Sequence, residues 1–416
     1  MFRALFRTWL AGLSAWLLLP SEIRAEPPVL TLPGLLSEVE AHSPLLHSRR
    51  AAEAAAKTHA RQAASVDDPM LMVELWQAPT SIERLPLMVT LKQALPWPGK
   101  LVARAQVARF DEARAQADTQ LQKQQLRLAT VRAYALYLFS HRSLAVKEEN
   151  QKILQVIVAS VDGRYRVGRA ELAELLDAQA ALHEQNTELI ELGHRSKQAE
   201  SDILALLGET SPRSLGVPVS IPELVPLPSL DSLLEQATQN RPELRMAQLA
   251  TQQEEAKITQ ARSEQAPDFA LWGSYMVPLR SDMERTFTVG IQTSIPSFSL
   301  FKTKAAQQEA ESLRTQNKQQ ELQLRASVLS EVRASYTRCE TVLRHLGLHH
   351  DDLIPLSERA VQTARAGYQS GRVPLSLLLS ATQRLLQQRL DYERYLAELM
   401  LRRAELDFSV GQGVSP

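Results

Sequence analysis

The chain has one cysteine, Cys339, in 416 residues. It can therefore form neither an intramolecular disulfide nor a cysteine-based metal pair. Glycine is scarce at 15 residues and aromatics reach only 5%. Ala, Leu, Gln, Glu and Arg take their place, which is the composition of long helices and coiled coils. An excess of either charge is also missing, with 47 Lys+Arg against 47 Asp+Glu, and this argues against nucleic acid as a partner. No G-x-S-x-G, H-E-x-x-H, Walker A or G-x-G-x-x-G run occurs. The many carboxylates are scattered along amphipathic stretches, where solvated ion pairs are the default. No catalytic residue, cofactor or metal site is expected, so the chain reads as a non-enzyme. No apolar run reaches the ~20 residues that a membrane-spanning helix needs.

What the sequence does have begins with an export signal over residues 1–25. Arg3 and Arg7 precede a short apolar stretch, "TWLAGLSAWLLLP" (8–20), and "IRA" (23–25) ends in a small residue suited to cleavage. The mature chain then starts near Glu26, and no lipid-accepting cysteine follows the signal.

Two modules follow, each reading helix, strand, strand, long helix, helix. The first, 26–207, has a helix reset at Ser43-Pro44, strands near 70–77 and 86–95, and helices near 99–166 and 170–207. A segment with five prolines, 208–230, reads as an extended linker that packs on nothing. The second module, 231–411, resets at Arg241-Pro242. It has strands near 268–276 and 285–295, then helices near 300–369 (bent near Gly347 and Pro355) and 375–408, with a tail over 412–416. The landmarks repeat. Pro44 pairs with Pro242, Pro96 with Pro296, Tyr134 with Tyr336, Gly168 with Gly371 and Gly208 with Gly411, at offsets of 198 to 203.

The strands alternate: Phe287, Val289 and Ile291 share one face, and Thr286, Thr288, Gly290 and Gln292 the other. Such a pattern suits a sheet packed on helices or a tilted membrane strand of ~9–11 residues. Four strands cannot close a barrel alone, so the second option needs several copies. The helices carry a heptad seam. Leu322, Leu329, Val332, Tyr336, Cys339, Leu343 and Leu346 lie in the first long helix of the second module, and Leu378, Leu385, Tyr392, Leu396, Leu399 and Leu406 in the last. The ~65-residue helix makes a rod of ~100 Å that folds back at "YQSGRVP" (368–374).

Together these features resemble the TolC-type outer-membrane efflux family over nearly the whole mature chain. The resemblance rests on the doubled module and on the Y-x-x-G turns "YRVGRAELAELLDA" (165–178) and "YQSGRVPLSLLLSA" (368–381). It rests also on the "LPWPGK" joint (95–100), which is similar to a "PxPGK" junction in members that serve metal or multidrug pumps. The resemblance implies a mainly α fold with a small β part. Three copies, each with four strands and long antiparallel coiled-coil helices, form a 12-stranded transmembrane β-barrel continued by a periplasmic α-helical barrel. It implies a passive exit duct in the outer membrane of a Gram-negative bacterium. The implied partners are outer-membrane lipid, a periplasmic adaptor and an inner-membrane pump, with drugs or metal ions as cargo.

It also implies sites. Tyr165, Gly168, Arg169, Tyr368, Gly371 and Arg372 mark the periplasmic tips where an adaptor docks. Glu174 matches an acidic gate residue, to be joined with Tyr368 and Arg372. That gate is only half matched, because Val373 stands at the basic position and Leu377 at the second acidic one. Pro96, Trp97, Pro98 and Gly99, with Pro296 and Phe298 in the second module, mark the joint at the membrane interface, where proline ends the strand and aromatic rings are favoured. His345, His349 and Asp352 fall on one helical face, but a solvated face or a local irregularity is the expected state of "HLGLHHDDL" (345–353). Two readings without a pore compete, a periplasmic coiled-coil adaptor and a secreted structural coiled coil. Both predict a soluble mature protein. Adaptors carry one hairpin and many glycines, and this chain has two hairpins and few.

Overall fold

The structure is a computed structural model that describes residues 29–75, 87–211, 213–219, 226–277, 285–295 and 300–413. The export signal and the joint residues Pro296 and Phe298 lie outside them. In chain order the elements are β1 (Val29–Leu30), α1 (Leu32–His42), α2 (Pro44–Ala63), β2 (Met70–Leu75), β3 (Leu87–Leu95), α3 (Pro98–Arg166) and α4 (Leu172–Leu207). Then follow β4 (Val217–Pro218), α5 (Leu230–Asn240), α6 (Pro242–Ser263), β5 (Phe269–Val277), β6 (Phe287–Thr293), α7 (Leu300–Leu348), a π-turn (His349–Leu353), α8 (Ile354–Gln369) and α9 (Leu375–Val410). No described helix is long and apolar enough to cross a membrane.

The repeated prolines and glycines meet in space. Pro44 and Pro242 each start a helix directly after an extended residue, so the chain turns without a loop. α4 ends at Gly208 and α9 at Gly411, both left-handed, with φ 76° and 78°. A Cβ on Gly208 would lie 2.8 Å from the Pro44 ring, and one on Gly411 would lie 2.7 Å from the Asn240 backbone. In each module the last helix therefore ends on the break between the first two. In the second, Arg241 strengthens the contact. It is buried, donates to the Ser409 carbonyl at 2.8 Å and pairs with Glu243 and Glu331.

The 69-residue α3 is the spine, and at ~1.5 Å per residue it runs for ~100 Å. Along it α1, α4 and α9 bury Leu35, Leu138, Ile203 and Tyr134 in one core, and away from it α5, α7 and α9 bury Leu233, Val332, Cys339 and Leu406 in another. The α7 seam is shifted from the expected one. Val328, Val332, Ser335, Cys339, Val342 and Leu346 are buried at 3-4 spacing, whereas Leu322 is 54% exposed. Burial pushes the Cys339 thiol up to about 11, which leaves it an inert packing group.

The proline-rich segment corrects the reading of an unpacked linker. Val217 and Pro218 pair in parallel with Val29 and Leu30, and Leu215 is buried. Tyr134 Oη donates to the Leu30 and Val219 carbonyls, and Tyr137 Oη to that of Gly216. The Leu30 carbonyl also accepts the Val219 N–H at 3.2 Å, and where proline offers no N–H the tyrosine hydroxyls from α3 serve as donors.

The four longer strands form one antiparallel sheet in the order β2-β3-β5-β6, with β3 and β5 joining the modules. β2 and β6 are its edges, and neither has a second strand partner among the described residues. The register aligns odd positions with odd, so Leu71, Val89, Leu271, Phe287, Val289 and Ile291 lie on one face. Glu74, Lys92, Ser274, Thr288 and Gln292 lie on the other. The apolar face is not covered by helices: Phe287, Val289 and Ile291 are 69%, 61% and 74% exposed. That removes the expected alternative of a sheet packed on helices. On the polar face Gly290 makes room for the Trp272 indole, which lies 2.6 Å from where its Cβ would be.

The glycine contacts give a graded prediction. Gly168 is left-handed too, but a Cβ there meets open space, so Gly168→Ala should carry only the backbone cost of roughly 1–2 kcal/mol. Gly411→Ala adds a clash with backbone and should lower the thermal unfolding midpoint clearly more. Equal midpoints for the two variants would contradict the packing described.

Candidate functional site: the strand-to-helix joint and the hairpin ends

β3 ends at Leu95, and three residues later Pro98 opens α3 with Trp97 as its cap. Proline is suited to a first helical turn because that N–H has no partner in the helix. The next residues carry the chemistry. Lys100 is 2% exposed, and its Nζ donates to Asp268 Oδ2 at 2.8 Å and lies 3.5 Å from Glu264 Oε2. The Trp97 backbone N–H donates to Asp268 Oδ1 at 3.2 Å, and Arg104 pairs with the same Glu264. Asp268 stands directly before β5, so the clamp ties the start of the spine to the entry of the other module's strand. Partial burial works against the Asp268 carboxylate, but Lys100, the Trp97 N–H and Arg104 outweigh it and hold the group below its ordinary range. The Trp97 ring lies 6.4 Å from that of Phe269 and is half exposed. Gly99 leaves room for that ring, since a Cβ there would lie 3.2 Å from it.

The hairpin ends form at the two Y-x-x-G turns. Gly168 and Gly371 adopt φ 71° and 75° and close each helix in the same way. Gly168 N–H donates to Tyr165 and Arg169 N–H to Arg164, while Gly371 donates to Tyr368 and Arg372 to Gly367. The side chains then break the symmetry. Tyr368 is 3% exposed and donates its hydroxyl to Glu174 Oε2 at 3.1 Å, whereas Tyr165 faces solvent. Burial, followed by the Glu174 carboxylate, raises the Tyr368 phenol above its ordinary value, so it is a proton donor at neutral pH. Arg372 does not join this pair: it is exposed and donates to Ser370 Oγ. The cation is Arg164. Its guanidinium lies 4.6 Å over the Tyr368 ring and donates to the carbonyls of Tyr368 at 2.6 Å and Arg169 at 3.2 Å. One arginine thus laces both turns together. Beside it a groove of about 370 Å³ opens between α3, α8 and α9, lined by Ile153, Val156, Ile157, Val361 and Leu378.

The model of the family described as outer membrane efflux protein matches residues 35–209 and 233–412. The chain belongs to this family. Solved structures agree with the fold. CusC superposes with a TM-score of 0.79 at 18% identity, covering 92% of both chains. The outer membrane protein VceC of Vibrio cholerae gives 0.73 at 17% identity, covering 92% of this chain and 97% of its own. The open-state MtrE outer membrane channel of Neisseria gonorrhoeae gives 0.75 at 16% identity, covering 92% and 89%. No curated protein sequence matches the chain.

Within this efflux-family fold the histidine run is an irregularity. Pro355 has no N–H to donate back into the preceding turn, and the helix widens to a π-turn at His349–Leu353. His345 stacks on Tyr395 at 4.9 Å and His349 is buried against the same ring. Asp352 faces solvent, so it does not join His345 and His349, and the run takes the local irregularity expected of it. No group of three His, Cys, Asp or Glu able to hold a metal occurs among the described residues.

Sequence reading missed Lys100, Asp268 and Arg164. The first two have a signal that could have found them: a lysine closes the proline joint in one module and an aspartate opens a strand in the other. The clamp predicts a stability change with a definite sign. Because the Asp268 pKa is lowered on folding, its contribution is present above the ordinary carboxylate range and is lost as pH falls through the folded value. Lys100→Met should lower the thermal midpoint at neutral pH and flatten the loss of stability below about pH 4. An unchanged midpoint and an unchanged acid limb would contradict the clamp.

Proposed function

We propose that the chain is the outer-membrane exit duct of a tripartite efflux system. Three copies join the free β2 and β6 edges into a 12-stranded barrel, and their helices continue it as a tube through the periplasm. The carrying observation is a sheet with one uncovered apolar face, a second face that carries Glu74, Lys92, Ser274, Thr288 and Gln292, and two edges with no strand partner among the described residues. In water such a sheet would aggregate. In a bilayer the apolar face meets lipid, the polar face lines a pore, and closure satisfies the edges. Trp97 and its neighbours then sit at the inner interface, with bilayer before Pro96 and periplasm after Lys100.

At the far end the Arg164–Tyr368–Glu174 latch holds the two hairpins of a protomer together and keeps the tip narrow. The exposed residues Tyr165, Arg169 and Arg372, on the Gly168 and Gly371 turns, meet a periplasmic adaptor, which connects the duct to an inner-membrane pump. The duct is passive and carries drugs or metal ions.

Two experiments test this reading. The mature protein should fractionate with the outer membrane and migrate as a heat-modifiable trimer, and it should form pores in planar bilayers. Recovery as a soluble periplasmic monomer would reject the duct. In the same bilayers, Arg164→Ser should raise single-channel conductance and Tyr368→Phe should raise it less, because the ring and its cation contact remain. Arg372→Glu should leave conductance near the parent value. Unchanged conductance in Arg164→Ser would reject the latch.

A further inference from the structure

The long helix of the second module is broken where that of the first is not, and ionisable rings fill the break. α3 runs without interruption from Pro98 to Arg166, whereas the π-turn His349–Leu353 divides α7 from α8. The turn lies between two small cores. Val342, Leu346 and Leu399 form the one before it, and Ala364, Tyr368 and Leu378 belong to the one after it. A cluster of rings holds the turn against α9. His345 stacks on Tyr395 with centroids 4.9 Å apart and planes 4° from parallel, and His349 meets the same ring at 5.2 Å. His349 is 7% exposed, and its Nδ1 is buried with no hydrogen-bond partner. A neutral imidazole can leave one nitrogen bare, but an imidazolium carries N–H on both. A proton on His349 therefore creates a buried donor with no acceptor.

The charged groups around the turn do not offset that cost. From α9, Arg394 already lies 5.0 Å over the Tyr395 ring, and Asp391 is taken up by Arg394 at 2.8 Å. Glu398, further along α9, pairs with Arg402 at 2.9 Å. From α7, His345 adds a second ring that can charge, and Arg344 is paired with Glu340. From α8, Glu358 is engaged by Arg389. Within the turn Asp352 faces solvent, and Asp351 contacts His350 at 2.9 Å. That last pair favours a proton on His350, but it is exposed, so its opposing effect is small.

We propose that the π-turn is an acid-sensing joint. Near neutral pH the uncharged His345–Tyr395–His349 cluster fixes the start of α8 to α9. As pH falls through the ordinary histidine range, near about 6.5, protonation of His349 frees the turn from Tyr395. Tyr368 of the latch is carried on α8, so a loosened joint loosens the latch with it. This last step rests on the duct reading; the joint itself does not.

The test is hydrogen exchange of the full mature chain in detergent at pH 7.5 and 5.5, corrected for the intrinsic rate and read on peptides covering 345–369. In the parent, protection of this segment should fall about tenfold or more at pH 5.5, while the α3 core around Leu138 stays protected. His349→Gln and His349→Phe cannot charge and should lose most of that fall. His350→Gln and His183→Gln should keep it. Equal protection at the two pH values in the parent would overturn the joint, and so would a full fall in a folded His349 variant. Conductance in planar bilayers separates the two claims: at pH 5.5 the parent should conduct more than His349→Gln. A parent with acid-sensitive exchange that forms no pore rejects the duct and leaves the joint standing. A conducting parent whose exchange ignores pH does the reverse.

Discussion

The structure depends on one buried cation. Lys100 lies at the first turn of a ~100 Å helix, where the chain leaves a sheet. A lysine so deeply buried needs a carboxylate partner, because an unpaired charge out of water costs several kcal/mol. Its partners, Asp268 and Glu264, come from the other module, at the point where that module enters its own strands. The pair therefore does more than stabilise a loop. It sets the place where two modules, related by a repeat of about 200 residues, change together from helix to strand. β3 and β5 can pair along their whole length because their helix-side ends are pinned to each other.

In the proposed duct the chain meets two different solvents on the two sides of that pinned boundary. On one side the helices bury their seams against one another and show polar faces to water. On the other the sheet turns an apolar face outward, and no described helix is hydrophobic enough to cross a membrane. Among the described elements the strands offer the apolar surface, and in the proposed duct closure with further copies satisfies their edges. At the opposite end of the spine the modules meet again, under a different rule. There the two turns have the same backbone, and a single asymmetric residue, Arg164, bridges them. The second module has Gly367 at the equivalent position, so it offers no matching arm.

Much of this was legible in the sequence because it is local. Proline breaks at Pro44, Pro98 and Pro242, the left-handed glycines and the period-2 strands follow from backbone geometry within a few residues. Their recurrence at near-constant offset exposed the two modules. What was not legible is long-range. Nothing near Lys100 announces a carboxylate at Asp268, and nothing near Tyr368 announces that Arg164, not Arg372, will lie over its ring. The packed proline segment escaped for a similar reason. Its carbonyls are satisfied by Tyr134 and Tyr137, some 80 residues earlier. The heptad seam was placed by hydrophobicity alone, which cannot separate a core leucine from an exposed one such as Leu322.

The central claim is that the β2 and β6 edges of neighbouring copies meet and close the sheet. The most direct measurement is cross-linking of a double variant, Val73→Cys on β2 with Ile291→Cys on β6, in isolated outer membranes. A short thiol-specific cross-linker should give covalent dimers and trimers that survive boiling, and neither single variant should give the trimer. A double variant that stays monomeric under conditions where both thiols are labelled would contradict the account.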